Sequence, residues 1–292
     1  MSNTRISVLV TALFLIVAAA MSSCGRGTEP ALAVPSAVAS RERAPLGSPI
    51  VMTYRFQVAP DAKFDRDYRV MVHFVDADRE IMWTDDHDPP TPTTQWKPGQ
   101  TIEYTRTMFI PVYPYLGKAT IEMGLHDPKT QQRLTLGGKD DGQRSYEVAA
   151  LELLPQSEGI FLVYGDGWQD QEVSQENSME EWRWTKKGAL LSFRNPQRDL
   201  VLYLDADGRP DVFATPQQVS VVVGGQVVET FQIQNAARFL HKTKIPATQL
   251  GTGEMVELQI SVDKTFVPAE HGGGADHRDL GIRVFHVFVE AQ

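Results

Sequence analysis

The chain has almost no cysteine: Cys24 is the only one in 292 residues. No disulfide can form within it, so whatever folds here folds by burial. The signatures of several common catalytic folds are missing as well. There is no Gly-x-Ser-x-Gly nucleophile elbow. No Gly-x-Gly-x-x-Gly opens a helix, no Gly-Lys-Ser/Thr phosphate loop is present, and no spacing matches an EF-hand or a zinc signature. No long stretch reads as a helix. Positive charge is in deficit, with 28 Lys and Arg against 37 Asp and Glu, a formal net charge of -9. That balance argues against nucleic acid or anionic lipid as a partner. No motif implies a cofactor.

What is present begins at the amino terminus. Arg5 gives a basic start, residues 6–17 an apolar run, and small residues lead to Met21-Ser22-Ser23-Cys24. That order is a secretory signal, and the run is shorter than the roughly 20 apolar residues of a membrane span. A cysteine at the cleavage point resembles the lipobox of bacterial lipoproteins, with Met21 where leucine is usual. The resemblance implies a signal peptide over 1–23, acylation of Cys24, attachment to a membrane through the lipid and residence in the cell envelope. Gly25 in place of Asp after the cysteine leans toward the outer membrane, on the periplasmic side in a Gram-negative cell. An ordinary cleaved signal is the alternative. Residues 24–48 are rich in Ala, Pro and Ser and poor in large apolar side chains, which reads as a disordered tether.

From residue 50 the pattern is all-β. Met52, Tyr54, Phe56 and Val58 alternate on one face of a strand, and residues 68–75, 99–110, 119–126 and 146–154 give further strands between Pro, Gly and Asp clusters. After a linker over 153–159, strands are expected at 182–184, 188–193, 200–205, 218–223, 227–233, 257–262 and 280–290. Gly224-Gly225 between two valine-rich runs marks a tight hairpin. The last run is apolar on both faces near its end, as in a central strand. The expectation is two β-sandwich domains, 49–154 Ig-like and 159–292 jelly-roll-like.

Three groups of residues could carry chemistry. Asp85, Asp86, His87 and Asp88 bring carboxylates and an imidazole together before Pro89-Pro90. This suits either a metal such as Ca²⁺ or a turn whose Asp side chains cap backbone N–H groups. His271–Asp279, with three consecutive glycines, reads as a ligand loop or as a plain strand connection. Trp168, Trp182 and Trp184 could stack on sugar rings, the last two sharing a strand face; the alternative is that they belong to the core.

Residues 49–152, with Val72-His73-Phe74-Val75-Asp76, Trp83-Thr84-Asp85-Asp86-His87 and Gly124-Leu125-His126-Asp127-Pro128, resemble β-sandwich modules of bacterial envelope proteins, some fused to membrane glycosyltransferases. Residues 159–290, with Glu181-Trp182-Arg183-Trp184 and Asp276-His277-Arg278-Asp279-Leu280, resemble a C-terminal module of bacterial polysaccharide-synthesis proteins. The resemblance carries no catalytic residue. It implies an accessory protein of the envelope, non-catalytic, that binds a polysaccharide or an envelope protein. The alternatives are a structural subunit of an export or surface assembly, and a Ca²⁺-dependent module or hydrolase.

Overall fold

The computed structural model describes residues 29–175 and 180–292; the expected signal peptide and Cys24 lie outside them. The chain is all-β, in two successive sandwiches.

The first is built from β1 (Ala33–Ala39), β2 (Arg43–Pro45), β3 (Pro49–Val58), β4 (Arg69–Val75), β5 (Ile81–Thr84), β6 (Thr101–Phe109), β7 (Gly117–His126), β8 (Lys139–Asp140) and β9 (Tyr146–Leu154). One sheet runs β1-β3-β6, the other β2-β9-β7-β4-β5, with β8 pairing with β9. The edge segment therefore divides: β1 pairs antiparallel with β3, then the chain crosses and β2 runs parallel to β9. An edge shared between two facing sheets is an Ig-like arrangement, as expected. The inner faces of both sheets supply the core, including Tyr54, Phe56, Phe74, Ile121 and Leu151, all fully buried.

The expected tether is corrected here. Residues 33–39 and 43–45 form strands of the first sandwich, and Ala33, Ala37, Ala44 and Leu46 are buried. The side chains are small, and the larger ones face the wrong way: Ala33, Pro35 and Ala37 point inward while Val34 and Val38 point to solvent. Small inward residues fit above the bulky Tyr54 and Phe56 of β3, which lie opposite Ala37 and Pro35. Pro35 is tolerated because β1 is an edge strand.

The second sandwich contains β10 (Val163–Tyr164), β11 (Glu172–Val173), β12 (Glu181–Trp184), β13 (Gly188–Arg194), β14 (Leu200–Asp207), β15 (Gln217–Val223), β16 (Gln226–Ile233), β17 (Phe239–Ile245), β18 (Met255–Val262) and β19 (Arg283–Ala291). One sheet is β10-β13-β18-β15-β16 and the other β11-β12-β19-β14-β17. From β12 onward the chain crosses between sheets at every connection except the β15–β16 hairpin, a jelly-roll winding. The hairpin turns at Gly224 and Gly225, both in the left-handed region (φ 56° and 77°), as the paired glycines require. The last strand, β19, is central in its sheet, between β12 and β14. Its outer-face side chains are half-buried rather than enclosed.

Candidate functional site

The four side chains of Asp85–Asp88, read as a metal site or as a capped turn, do not converge on one point. Residues 81–84 form β5, Trp83 stacks on Phe74 at 4.5 Å between ring centroids, and His87 bridges to Val70. The extended backbone sends successive side chains to opposite faces. Asp85 turns inward, where its carboxylate accepts hydrogen bonds from the Tyr54 hydroxyl (2.9 Å) and the Arg106 guanidinium (2.9 and 3.2 Å). His87 also turns inward and is buried, with Nδ1 2.6 Å from the Asp85 carbonyl and Nε2 2.8 Å from the Tyr104 hydroxyl. Asp86 turns to the other face, accepts the Val72 N–H at 2.8 Å and lies 3.7 Å from His73 Nε2. Asp88 is exposed. Among the described residues no group of three or more His, Cys, Asp or Glu is placed to hold a metal ion. The cluster ties the two sheets together instead. Burial holds the His87 and His126 imidazoles below their ordinary pKa.

Trp168 lies apart, packed against the jelly-roll core, while Trp182 and Trp184 share one face of β12 as alternation predicts, with the Arg283 guanidinium against both rings. Trp168 is placed by Gly167, whose φ is 89° and whose missing Cβ would sit 1.8 Å from the Gly188 carbonyl oxygen. Only glycine allows that approach. The Trp168 indole N–H donates to the Leu190 carbonyl at 2.7 Å, and the ring packs between the jelly-roll core and the edge of Tyr164. Trp184 is buried against Phe266 and Leu280. Trp184 is thus enclosed, whereas Trp168 is half-buried. Trp182, beside Trp184, is half-buried on the outer face of the β11-β12-β19-β14-β17 sheet.

Around Trp182 lies a polar and aromatic surface that alternation does not reveal. Between β14 and β19 the register slips: Asp205 pairs with His286 and Ala206 with Val284, leaving Phe285 as an extra residue. This β-bulge puts Phe285 and His286 on the same outer face. Trp182 and Phe285 meet at 6.2 Å, nearly edge to face. The guanidinium of Arg238 lies 4.2 Å from the Phe285 centroid; that of Arg283 lies 4.9 Å from it and 5.0 Å from the Trp182 centroid. Outward-facing Asp205 and Asp207 of β14 anchor these cations. Arg238 Nε is 2.8 and 2.9 Å from the two Asp205 oxygens, and Arg283 Nε is 3.0 and 3.1 Å from those of Asp207.

The two carboxylates titrate apart. For Asp205, burial would raise the pKa, but hydrogen bonds from Arg238 and His286 outweigh it and hold the pKa below the ordinary value. For Asp207, burial dominates the Arg283 pairing and pushes the pKa up. His286 Nδ1 lies 3.0 Å from both Arg238 and Asp205, and its ring stacks on Phe109 of the first sandwich at 4.4 Å. With both carboxylates engaged by guanidinium groups, the face combines half-buried aromatic rings, arginines packed against them and the carboxylates that hold those arginines.

The glycine-rich segment serves this face as a strand connection. Arg278 pairs with Asp276 and with Glu172 of β11 (2.6 Å each), and Glu172 accepts the Trp182 indole N–H at 3.2 Å. Trp182 was legible from sequence. Phe285, Arg238, Arg283, Asp205 and Asp207 were not, because a bulge, two strands and the residue just before β17 assemble them.

No family model matches the chain, and no curated protein sequence matches it. Among solved structures, it is similar to the tandem CBM22-1-CBM22-2 domain of Paenibacillus barcinonensis Xyn10C (7% identity, 88% of this chain and 94% of that one, TM-score 0.28). It is also similar to the CBM51-2 and INT domains of Clostridium perfringens ZmpB (13%, 60% and 39%, TM-score 0.22). A third likeness is to the 4-O-methyl-alpha-glucuronidase BtGH115A (13%, 52% and 20%, TM-score 0.34). The chain thus spans about a fifth of the third and two fifths of the second. At these scores the likeness carries no functional argument.

Proposed function

We propose that this chain is a non-catalytic, lipid-anchored accessory protein of the cell envelope that binds glycan on the outer face of the β11-β12-β19-β14-β17 sheet. The observation that carries the reading is the Trp182–Phe285 pair set among Arg238, Arg283, Asp205 and Asp207 on one sheet face. A sugar ring presents C–H groups on its faces and hydroxyls around its rim. Aromatic rings match the first, and fixed charged donors and acceptors match the second. The pairs Arg238–Asp205 and Arg283–Asp207 fix the guanidinium planes in advance, which limits the ordering cost on binding. The lipid anchor rests on the lipobox-like Met21-Ser22-Ser23-Cys24, which would hold the two sandwiches at the membrane.

Affinity electrophoresis against a panel of envelope and cell-wall polysaccharides tests the glycan reading. Retardation of the wild-type chain by at least one polysaccharide is expected. Trp182→Ala and Phe285→Ala should each weaken it about three- to tenfold, the range of one aromatic contact. No retardation by any member, with specific capture of an envelope protein in its place, would turn the assignment to a structural subunit.

A further inference from the structure

The folding of residues expected to be a tether changes where the first sandwich can sit. The described chain is held in place from its first residue: the Glu29 carboxylate accepts hydrogen bonds from the Thr135 hydroxyl (2.9 Å) and Arg144 Nη2 (2.7 Å). Next, Leu32 N–H donates to the Thr135 carbonyl, and Gly137 N–H donates to that of Ala33. Four residues separate Cys24 from Glu29, and the five residue steps between the two span at most about 18 Å when fully extended. Whatever is attached to Cys24 is therefore confined to one end of the first sandwich.

That end carries an open cleft of about 370 Å³, lined by Gln131, Gln132, Arg133, Gly142, Gln143 and Arg144. The two arginines are the only charged side chains in its lining. Arg144 is engaged within the fold, donating to the Arg133 carbonyl and to Glu29. Arg133 is half-buried and donates through Nη1 to the Gln143 carbonyl at 3.1 Å. Its Nε and Nη2 have no partner among the described residues. The Gln131 amide donates to the Pro128 carbonyl, and Asp140 and Asp141 cap the backbone N–H groups of 142–144 beside the cleft, so the guanidinium donors of Arg133 with the Gln132 and Gln143 side chains are what match a phosphate oxyanion.

We infer that this cleft receives the phosphodiester of a phospholipid head group, docking the first sandwich on the membrane to which Cys24 is attached. The inference rests on the acylation of Cys24. The chain's net charge of -9 opposes recruitment of the free protein to a lipid surface. A short tether makes the contact intramolecular, so a weak site is occupied through its high effective concentration. A docked cleft also fixes orientation, with the jelly roll following the first sandwich from β9 onward.

The test uses the full chain produced in a bacterium fed labelled palmitate, beside Cys24→Ser. Label in the wild type only is the expected result. The purified lipoprotein is then compared in detergent and in vesicles of phosphatidylethanolamine and phosphatidylglycerol by hydrogen exchange. Amides of residues 131–133 and 142–144 should exchange about fivefold more slowly in vesicles, the effect of one arginine held at a lipid surface. Arg133→Gln should abolish that slowing, with melting unchanged because its backbone carbonyl still serves Arg144. Millimolar inorganic phosphate should not reproduce it in detergent. Label without slowing overturns the docking alone. Slowing by inorganic phosphate equal to that in vesicles also overturns it, because the cleft is then a free-anion site. Absence of label overturns the anchor and, with it, this inference.

Discussion

Substituting Ala37 by Asp distinguishes a core strand from a tether at a single residue. Ala37 is 8% exposed and lies opposite the fully buried Tyr54, whereas its neighbour Val38 is 66% exposed on the outer side of the same strand. In a tether both changes would be harmless. In β1, Ala37→Asp places a carboxylate in an apolar interior with no cation beside it. Such an uncompensated charge costs about 3–5 kcal/mol, a large part of the roughly 5–15 kcal/mol that holds a domain together. At the few degrees per kcal/mol expected for a domain of this size, the first sandwich should melt roughly 10–25 °C lower. Val38→Asp should stay within about 0.5 kcal/mol of wild type. Scanning calorimetry of the full chain and urea titration give the two numbers. If the two variants agree within about 0.5 kcal/mol, residues 33–39 do not contribute to the core and the reasoning fails.

Further expectations follow from the two sandwiches. Tyr54→Phe removes a hydrogen bond to the buried Asp85 carboxylate and should cost about 1.5–3 kcal/mol in urea titration. Gly167→Ala, where a Cβ would overlap the Gly188 carbonyl, should lower the melting temperature of the second sandwich and leave the first unchanged in calorimetry. Calcium and chelator should leave the melting curve unmoved, since Asp85 and Asp86 point to opposite faces and are already hydrogen-bonded; a rise of several degrees with Ca²⁺ would revive the metal reading. Acid should destabilise the chain in two stages. His87 and His126 have depressed pKa values when folded, so below about pH 6.5 the unfolded chain binds more protons and stability falls as pH drops. Asp86 and Asp205 are also depressed, so their contribution is intact above about pH 4 and is lost progressively below it, as pH falls through their lowered folded values, while Asp207, raised by burial, works in the opposite sense. Melting at stepped pH measures both stages, and His87→Gln should flatten the first.

The class of the fold and most of its strands were legible in local residue patterns. Alternation at Met52, Tyr54, Phe56 and Val58, the diglycine turn and the apolar last strand are local patterns, and a strand's side-chain period is set locally by the backbone. The lone cysteine likewise dictates that burial, and no internal disulfide, holds the sandwiches. Tertiary structure alone decided three things. It made a strand of small residues at 33–39, because the depth of packing is set by the bulky partner strand rather than by the segment's own hydrophobicity. It scattered Asp85–Asp88, because neighbours in sequence on an extended backbone point to opposite faces, and it set Trp168 apart from the Trp182–Trp184 pair. And it gathered Asp205, Asp207, Arg238, Arg283 and Phe285 around Trp182, because a β-bulge and pairing across distant strands bring together residues that no local pattern connects.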